Sequence, residues 1–120
     1  MKKIFRSSQY LLLIMLWVSI AISGCNSNSE PINFKESLLL DVRTPEEFSE
    51  GSIENAINIP VDELESRIGE IKNDKPIVVF CRSGNRSSRA KKILEEKGFT
   101  NVFNGGGVGD LQVQFDQKKD

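Results

Sequence analysis

The chain is organised around one stretch, Val78-Val79-Phe80-Cys81-Arg82-Ser83-Gly84-Asn85-Arg86-Ser87-Ser88. An apolar run ends there in a cysteine, a short loop of small and basic residues follows, and a helix-forming segment then begins. Ile77 to Phe80 contains four apolar residues without polar alternation, which predicts a strand buried on both faces. The stretch therefore predicts a strand, a loop and a helix in succession, with the Cys81 thiol at the end of the strand.

The rest of the chain alternates between apolar runs and amphipathic segments. The patterns predict strands at 37–42, 55–59, 77–80 and 99–103, and helices at 45–50, 61–71 and 87–97. Thr44 and Glu47 have the spacing of a capping box at the start of the first helix. Gly105-Gly106-Gly107 predicts a flexible turn, followed by a weakly amphipathic tail through Phe115. Strands that alternate with helices predict an α/β fold with a parallel sheet.

Two of the predicted strands end in polar or reactive residues. Asp41-Val42-Arg43 closes the first strand, and Cys81 closes the third. In open parallel sheets, ligands bind beyond the carboxyl ends of the strands. We therefore expect these residues to lie at the same rim of the sheet.

Composition limits the possible chemistry. A length of 120 residues, 38% hydrophobic and 28% charged, predicts one domain. The chain contains no histidine, which excludes Cys-His and Ser-His-Asp mechanisms and any His-ligated metal site. Cys25 and Cys81 are too few for a zinc site or a disulfide framework. A disulfide between them is formally possible, but their surroundings indicate separate roles, and we expect neither a metal nor a cofactor.

The N-terminal segment has the features of an export signal. A basic start precedes Tyr10 to Ile22, an apolar run of 13 residues that is shorter than the roughly 20 needed to span a bilayer. The run leads into Ile22-Ser23-Gly24-Cys25, which resembles the lipobox of exported bacterial lipoproteins. The resemblance implies a signal peptide at 1–24, lipidation of Cys25 and a membrane-anchored protein of the cell envelope; the alternative is an uncleaved membrane anchor.

The predicted mature chain is acidic. Without residues 1–24, 13 basic and 17 acidic residues remain, a net charge of about −4. Such a chain has no long-range attraction for nucleic acid, so any anion site must be local. We expect a lipidated cysteine and tether at 25–36, a folded domain at 37–116, frayed residues at 117–120 and a monomer.

Cys81 has the surroundings of a reactive thiol. It follows a buried strand and precedes a helix, whose N-terminal N–H groups and dipole favour an anion. Gly84 allows the loop to turn its amides inward as an anion-binding nest. The predicted binding loop consists of Arg82, Ser83, Gly84, Asn85, Arg86 and Ser87. The alternative, a small buried core cysteine, accounts for Cys81 but not for the basic and small residues after it.

Several motifs in this order resemble the rhodanese-like sulfurtransferases. The matching segments, which span 37–107, are 40–48, 51–53, 56–60, 79–87, 98–102 and 105–107. The resemblance implies a rhodanese-like three-layer sandwich, with a small parallel sheet and helices on both faces. It also implies that the Cys81 thiolate takes sulfur from a donor such as thiosulfate, and passes it from a persulfide to cyanide or a thiol.

The resemblance also assigns roles around the thiol. Loop amides would stabilise the sulfur anion, and Arg82 and Arg86 would attract and orient the anionic donor. Asp41 and Arg43 would support the active-site loop through hydrogen bonds and ion pairing, with direct substrate contact as the alternative.

The chain departs from the family pattern at three places. Ser52 stands where the family often has histidine, and Val108-Gly109-Asp110-Leu111 lacks a frequent tryptophan. The strand and helix that usually open the family's fold are short or missing, because only residues 31–36 remain before Ser37 in the predicted domain.

Two other functions are compatible with the fold. A phosphatase or arsenate reductase would have five residues between cysteine and arginine, where Cys81 and Arg86 enclose four. A non-enzymatic binding module or sulfur carrier is the other alternative.

Overall fold

The computed structural model describes residues 31–120, so the predicted signal peptide and Cys25 lie outside the described residues. The strands are β1 (Leu38–Asp41), β2 (Ile57–Asn58), β3 (Ile77–Cys81) and β4 (Val102–Gly107). The helices are α1 (Pro45–Ser49), α2 (Val61–Leu64), α3 (Asn85–Glu96) and α4 (Val108–Lys119), with 3₁₀ turns at Phe34–Glu36 and Ile68–Glu70. None of the helices in this range is long and apolar enough to cross a membrane.

The four strands form one parallel sheet in the order β2-β1-β3-β4. All five residues of β3 are buried, as its unbroken apolar run predicts. Side chains alternate along it: Val79 and Cys81 face a core with Leu94 of α3, whereas Val78 and Phe80 face a core with Leu111 of α4. Helices therefore cover both faces, which confirms the predicted α/β three-layer fold.

The glycine run is part of β4, so the prediction of a turn at 105–107 was wrong. The fourth strand begins at Val102 rather than at 99. A Cβ on Gly105 would lie 2.9 Å from side-chain atoms of both Val78 and Leu111, so close packing requires glycine there. Val79 pairs with Asn104 and Phe80 with Gly106, which leaves Gly105 as the extra residue of a β-bulge.

The predicted helix at 61–71 is interrupted. Helix α2 ends at Leu64, and only a 3₁₀ turn follows at Ile68–Glu70. Gly69 lies inside that turn, and glycine disfavours a helix interior because it leaves the unfolded chain more freedom.

Secondary structure extends beyond the predicted domain bounds of 37–116 at both ends. Helix α4 continues through Lys119, so it includes residues 117–119, which were predicted to be frayed. The ammonium group of Lys118 donates to the Ile32 carbonyl at 2.9 Å and lies 4.8 Å from the centre of the Phe34 ring. Phe34 is 5% exposed and packs in the core, so the fold begins before residue 37.

Candidate active site

Cys81 is the last residue of β3, and its side chain is fully buried. Gly84, with φ of +98°, turns the chain back so that its N–H donates to Cys81 Sγ at 3.0 Å. Helix α3 begins at the next residue, Asn85. The thiol thus lies against the N-terminus of a twelve-residue helix, where backbone N–H groups favour an anion, as the sequence predicts.

Opposing effects act on the acidity of the thiol. Burial, the largest influence, raises the pKa of Cys81 because it disfavours the thiolate. Hydrogen bonds from the Ser87 hydroxyl and from the backbone N–H groups of Ser87, Gly84 and Ser83 lower it, and together they outweigh burial. The net pKa of Cys81 lies below its ordinary value, which increases the thiolate fraction at neutral pH.

A second layer of polar groups surrounds Ser87, which is fully buried in the first turn of α3. Its Oγ lies 3.6 Å from Cys81 Sγ and donates to either the Gly84 carbonyl at 2.9 Å or Asn104 Oδ1 at 2.7 Å. Sequence reasoning missed Asn104, because it lies on β4, 17 positions away from Ser87. No local motif signals such a contact.

Arg86 is held by an acidic partner. Its two terminal nitrogens donate to the Glu47 carboxylate at 2.6 and 3.0 Å. This pair, 39 positions apart, also escaped the sequence analysis, which assigned Glu47 only a capping role. Through this pair Arg86 anchors the loop to α1 and keeps a positive charge near Cys81. The predicted contact of Arg86 with the sulfur donor stays a prediction.

The remaining loop residues face solvent. Arg82, Ser83 and Asn85 are exposed. Arg82 forms no ion pair with any of the described residues, so its charge remains available to an approaching anion. The Arg82 carbonyl lies against β4, since a Cβ on Gly107 would come within 2.8 Å of it. The loop is thus closed by β4 on one side and open at Arg82.

Asp41 and Arg43 form a buried ion pair, with nitrogen and oxygen 2.6 Å apart. The Ser52 hydroxyl donates to the Asp41 carboxylate at 2.8 Å, and Arg43 donates to the Gly51 carbonyl at 2.7 Å. The pair therefore fixes the segment between α1 and β2. The predicted support of the Cys81 loop is indirect, through the adjacent strand end, where the Val42 N–H donates to the Phe80 carbonyl.

A cavity of about 390 Å³ lies near the other end of β1, lined in part by Phe34, Lys35, Lys75 and Phe115. None of its lining residues belongs to the loop at 81–87. Within residues 31–120, no group of three or more carboxylates and thiols is placed to hold a metal ion.

Known proteins resemble the chain in sequence. A family model, the rhodanese-like domain, matches residues 26–108. The thiosulfate sulfurtransferase PspE of Escherichia coli is 42% identical over 76 residues, which cover 62% of this chain and 73% of that protein. A sulfurtransferase of Allochromatium vinosum is 39% identical over 70 residues, covering 58% of this chain and 65% of its own length. The chain thus spans just under two thirds of that second relative.

Solved structures agree with the fold. A rhodanese with anions from E. coli has a TM-score of 0.58 and 38% identity, over 62% of this chain and 89% of that one. A rhodanese-related protein from Thermoplasma volcanium has a TM-score of 0.62 and 37% identity, over 69% and 82% of the two chains. The family match over residues 26–108, carried on a parallel sheet with a cysteine loop at its rim, shows that the chain belongs to the rhodanese-like sulfurtransferase family.

Proposed function

We propose that this protein is a thiosulfate sulfurtransferase that carries sulfur as a persulfide on Cys81. The observation that supports this most directly is the donor set around the thiol: amide N–H groups and a hydroxyl converge on Cys81 Sγ. Such a site stabilises a sulfur anion without a general base, which suits a chain that lacks histidine. The similar E. coli protein PspE is named a thiosulfate sulfurtransferase, which supports thiosulfate as the sulfur donor proposed here.

The chemistry proceeds in two displacements. The Cys81 thiolate attacks the outer sulfur of thiosulfate, and the bond between the two donor sulfurs breaks. Sulfite leaves with the electron pair, and Cys81 becomes a persulfide whose charge lies on the terminal sulfur. Cyanide or a thiolate then attacks that terminal sulfur, forming thiocyanate or a new persulfide and restoring the Cys81 thiolate. No net proton transfer is required in either displacement between anions.

The two loop arginines have different roles in this proposal. Arg82 is exposed at the open side of the loop and attracts the dianionic donor. Arg86 is held by Glu47 and keeps the loop and its positive charge in place. The loop between Cys81 and Arg86 encloses four residues, which favours sulfur transfer over the phosphatase alternative.

Mass spectrometry and an activity assay test the proposal together. The full chain, carrying Cys25→Ser so that one thiol remains, is incubated with thiosulfate in detergent. We expect Cys81 to gain the mass of one sulfur atom, and cyanide to remove it as thiocyanate; Cys81→Ser, the matched control, should do neither. Release of phosphate from p-nitrophenyl phosphate without thiocyanate formation, or a folded protein without the adduct, would overturn the proposal.

We also propose that the protein is exported and anchored to a membrane of the cell envelope by lipid on Cys25. The support is the sequence alone: a basic start, an apolar run and Ile22-Ser23-Gly24-Cys25. Radiolabelled fatty acid should be incorporated by the parent chain in a bacterial host and not by Cys25→Ser. Equal labelling of both chains would contradict a lipid on Cys25.

A further inference from the structure

The Ser87 hydroxyl has one proton and three possible acceptors. These are Asn104 Oδ1 at 2.7 Å, the Gly84 carbonyl at 2.9 Å and, when it is a thiolate, Cys81 Sγ at 3.6 Å. As a thiol, Cys81 donates its own proton to Ser87 Oγ. The Gly84 carbonyl already accepts from the N–H and the hydroxyl of Ser88, at 3.0 and 2.9 Å. Because two donors already use the lone pairs of this carbonyl, Asn104 Oδ1 is the better neutral acceptor for the Ser87 proton, and the sulfur competes with it.

The orientation of the Asn104 amide is fixed by its other partners. The Gly106 N–H donates to Asn104 Oδ1 at 2.9 Å, so this atom must be the oxygen. Asn104 Nδ2 donates to the Ser88 hydroxyl at 2.8 Å. Oδ1 thus has one lone pair left, and the Ser87 Oγ lies 2.7 Å from this oxygen. Asn104 does not touch the sulfur itself, so any influence on Cys81 passes through Ser87.

We propose that Asn104 is a positioning residue that competes with the Cys81 sulfur for the Ser87 proton. When the sulfur is a neutral thiol, the hydroxyl donates to Asn104; when it is a thiolate, the hydroxyl turns and donates to the sulfur. If Cys81 carries a persulfide, as the proposed function requires, the same competition applies after sulfur transfer. In the persulfide the charge moves to the terminal sulfur, Cys81 Sγ becomes neutral, and the hydroxyl returns to Asn104.

The charged groups around Cys81 either have partners other than Asn104 or face solvent. Arg86 of α3 is bound to Glu47 of α1, and Asp41 to Arg43 at the end of β1. Arg82 is on the exposed side of the loop. Asn104 itself is exposed, so its replacement does not open the core. A change in thiol reactivity on replacing Asn104 therefore reports on the hydroxyl.

The test measures the rate at which uncharged iodoacetamide alkylates Cys81 as a function of pH, in full chains carrying Cys25→Ser. Asn104→Ala frees the Ser87 proton for the sulfur, so below the titration midpoint we expect alkylation about threefold faster, as for one net hydrogen bond gained. Asn104→Asp holds the proton more strongly and adds negative charge, so alkylation should slow. Ser87→Ala should slow it too, and should abolish the effect of Asn104→Ala.

Asn101→Ala and Asn101→Asp are the matched controls, because Asn101 is exposed just before the same strand. A purely structural role would shift both Asn104 variants in the same direction. That outcome, no shift at all, or an undiminished effect of Asn104→Ala in the Ser87→Ala background would overturn the proposal. Alkylation does not depend on sulfur transfer, so a failure of the proposed function would appear separately, as an absent persulfide in the parent chain.

Discussion

Gly107 lies where the end of β4 meets the loop after Cys81. A Cβ there would come within 2.8 Å of the Arg82 carbonyl oxygen, which is backbone and has little room to move. Glycine in this position follows from close approach between two backbones rather than from a turn. The local sequence would show a glycine in both cases, and the contact with the Arg82 carbonyl explains the one at 107.

Gly107→Ala should therefore displace the loop. We expect it to cost about 1–3 kcal/mol in the free energy of unfolding, measured by urea denaturation, because the added methyl group overpacks the contact. It should also slow thiocyanate formation. Gly109→Ala is the matched control, since a Cβ there meets nothing within 4 Å. That change lies inside α4 and should be neutral or stabilise by up to about 1 kcal/mol. Equal costs for the two variants would contradict the close contact.

At the scale of elements, one carboxylate in α1 contacts both the cap of its own helix and the loop after Cys81. Thr44 and Glu47 form the predicted capping box, in which the Thr44 N–H donates to Glu47 Oε2 at 3.0 Å. The same carboxylate accepts hydrogen bonds from both terminal nitrogens of Arg86. A helix of five residues is too short to be stable alone. Its carboxylate nonetheless carries the contact that anchors the loop.

This arrangement predicts an acid-dependent loss of stability. Hydrogen bonds from Arg86, and then from Thr44, lower the pKa of Glu47 from 4.5 to about 2. The charged carboxylate therefore stabilises the fold above pH 4.5, and this contribution is lost progressively as pH falls towards 2. Urea denaturation between pH 6 and 3 should show a shallower decline for Glu47→Gln than for the parent chain.

Glu46→Gln is the control for that decline, because Glu46 is an exposed neighbour in the same helix. It should keep the steep decline of the parent. Parallel curves for the parent chain and Glu47→Gln would show that the ion pair contributes nothing to the pH dependence of folding.

At the scale of the molecule, a net charge of −1 for the full chain means that a dianionic donor is not drawn to the protein as a whole. Arg82 provides a local attraction at the open side of the loop, where added salt screens its charge. We expect the KM for thiosulfate to rise with ionic strength while kcat stays constant. Arg82→Ala should have a higher KM at low salt and a weaker salt dependence.

Arg89→Ala is the matched control, because Arg89 lies on α3, the helix that follows the loop, and is exposed but pairs with Asp62 at 3.0 Å. It should keep the salt dependence of the parent chain. If Arg82→Ala also keeps it, Arg82 does not attract the donor.

The sequence predicted features that depend on near neighbours. The buried strand before Cys81, the helix after it and the cap of α1 are local patterns, and the structure confirms them. Contacts between distant segments could not be predicted, since Arg86 with Glu47 and Ser87 with Asn104 are formed only when the sheet is complete. The extent of β4 was missed because strands are generally poor in glycine. Here close contacts with other segments require glycine, at Gly105 against Val78 and Leu111 and at Gly107 against the Arg82 carbonyl.

The irregular edges of the sheet also have a consequence for self-association. One edge strand, β2, has only two residues, and the other, β4, is bulged and rich in glycine. Long, flat edge strands invite pairing with another copy of the chain, whereas short or bulged edges hinder it. The same bulge that sets Gly107 opposite Cys81 therefore makes the β4 edge a poor template for pairing with a second chain.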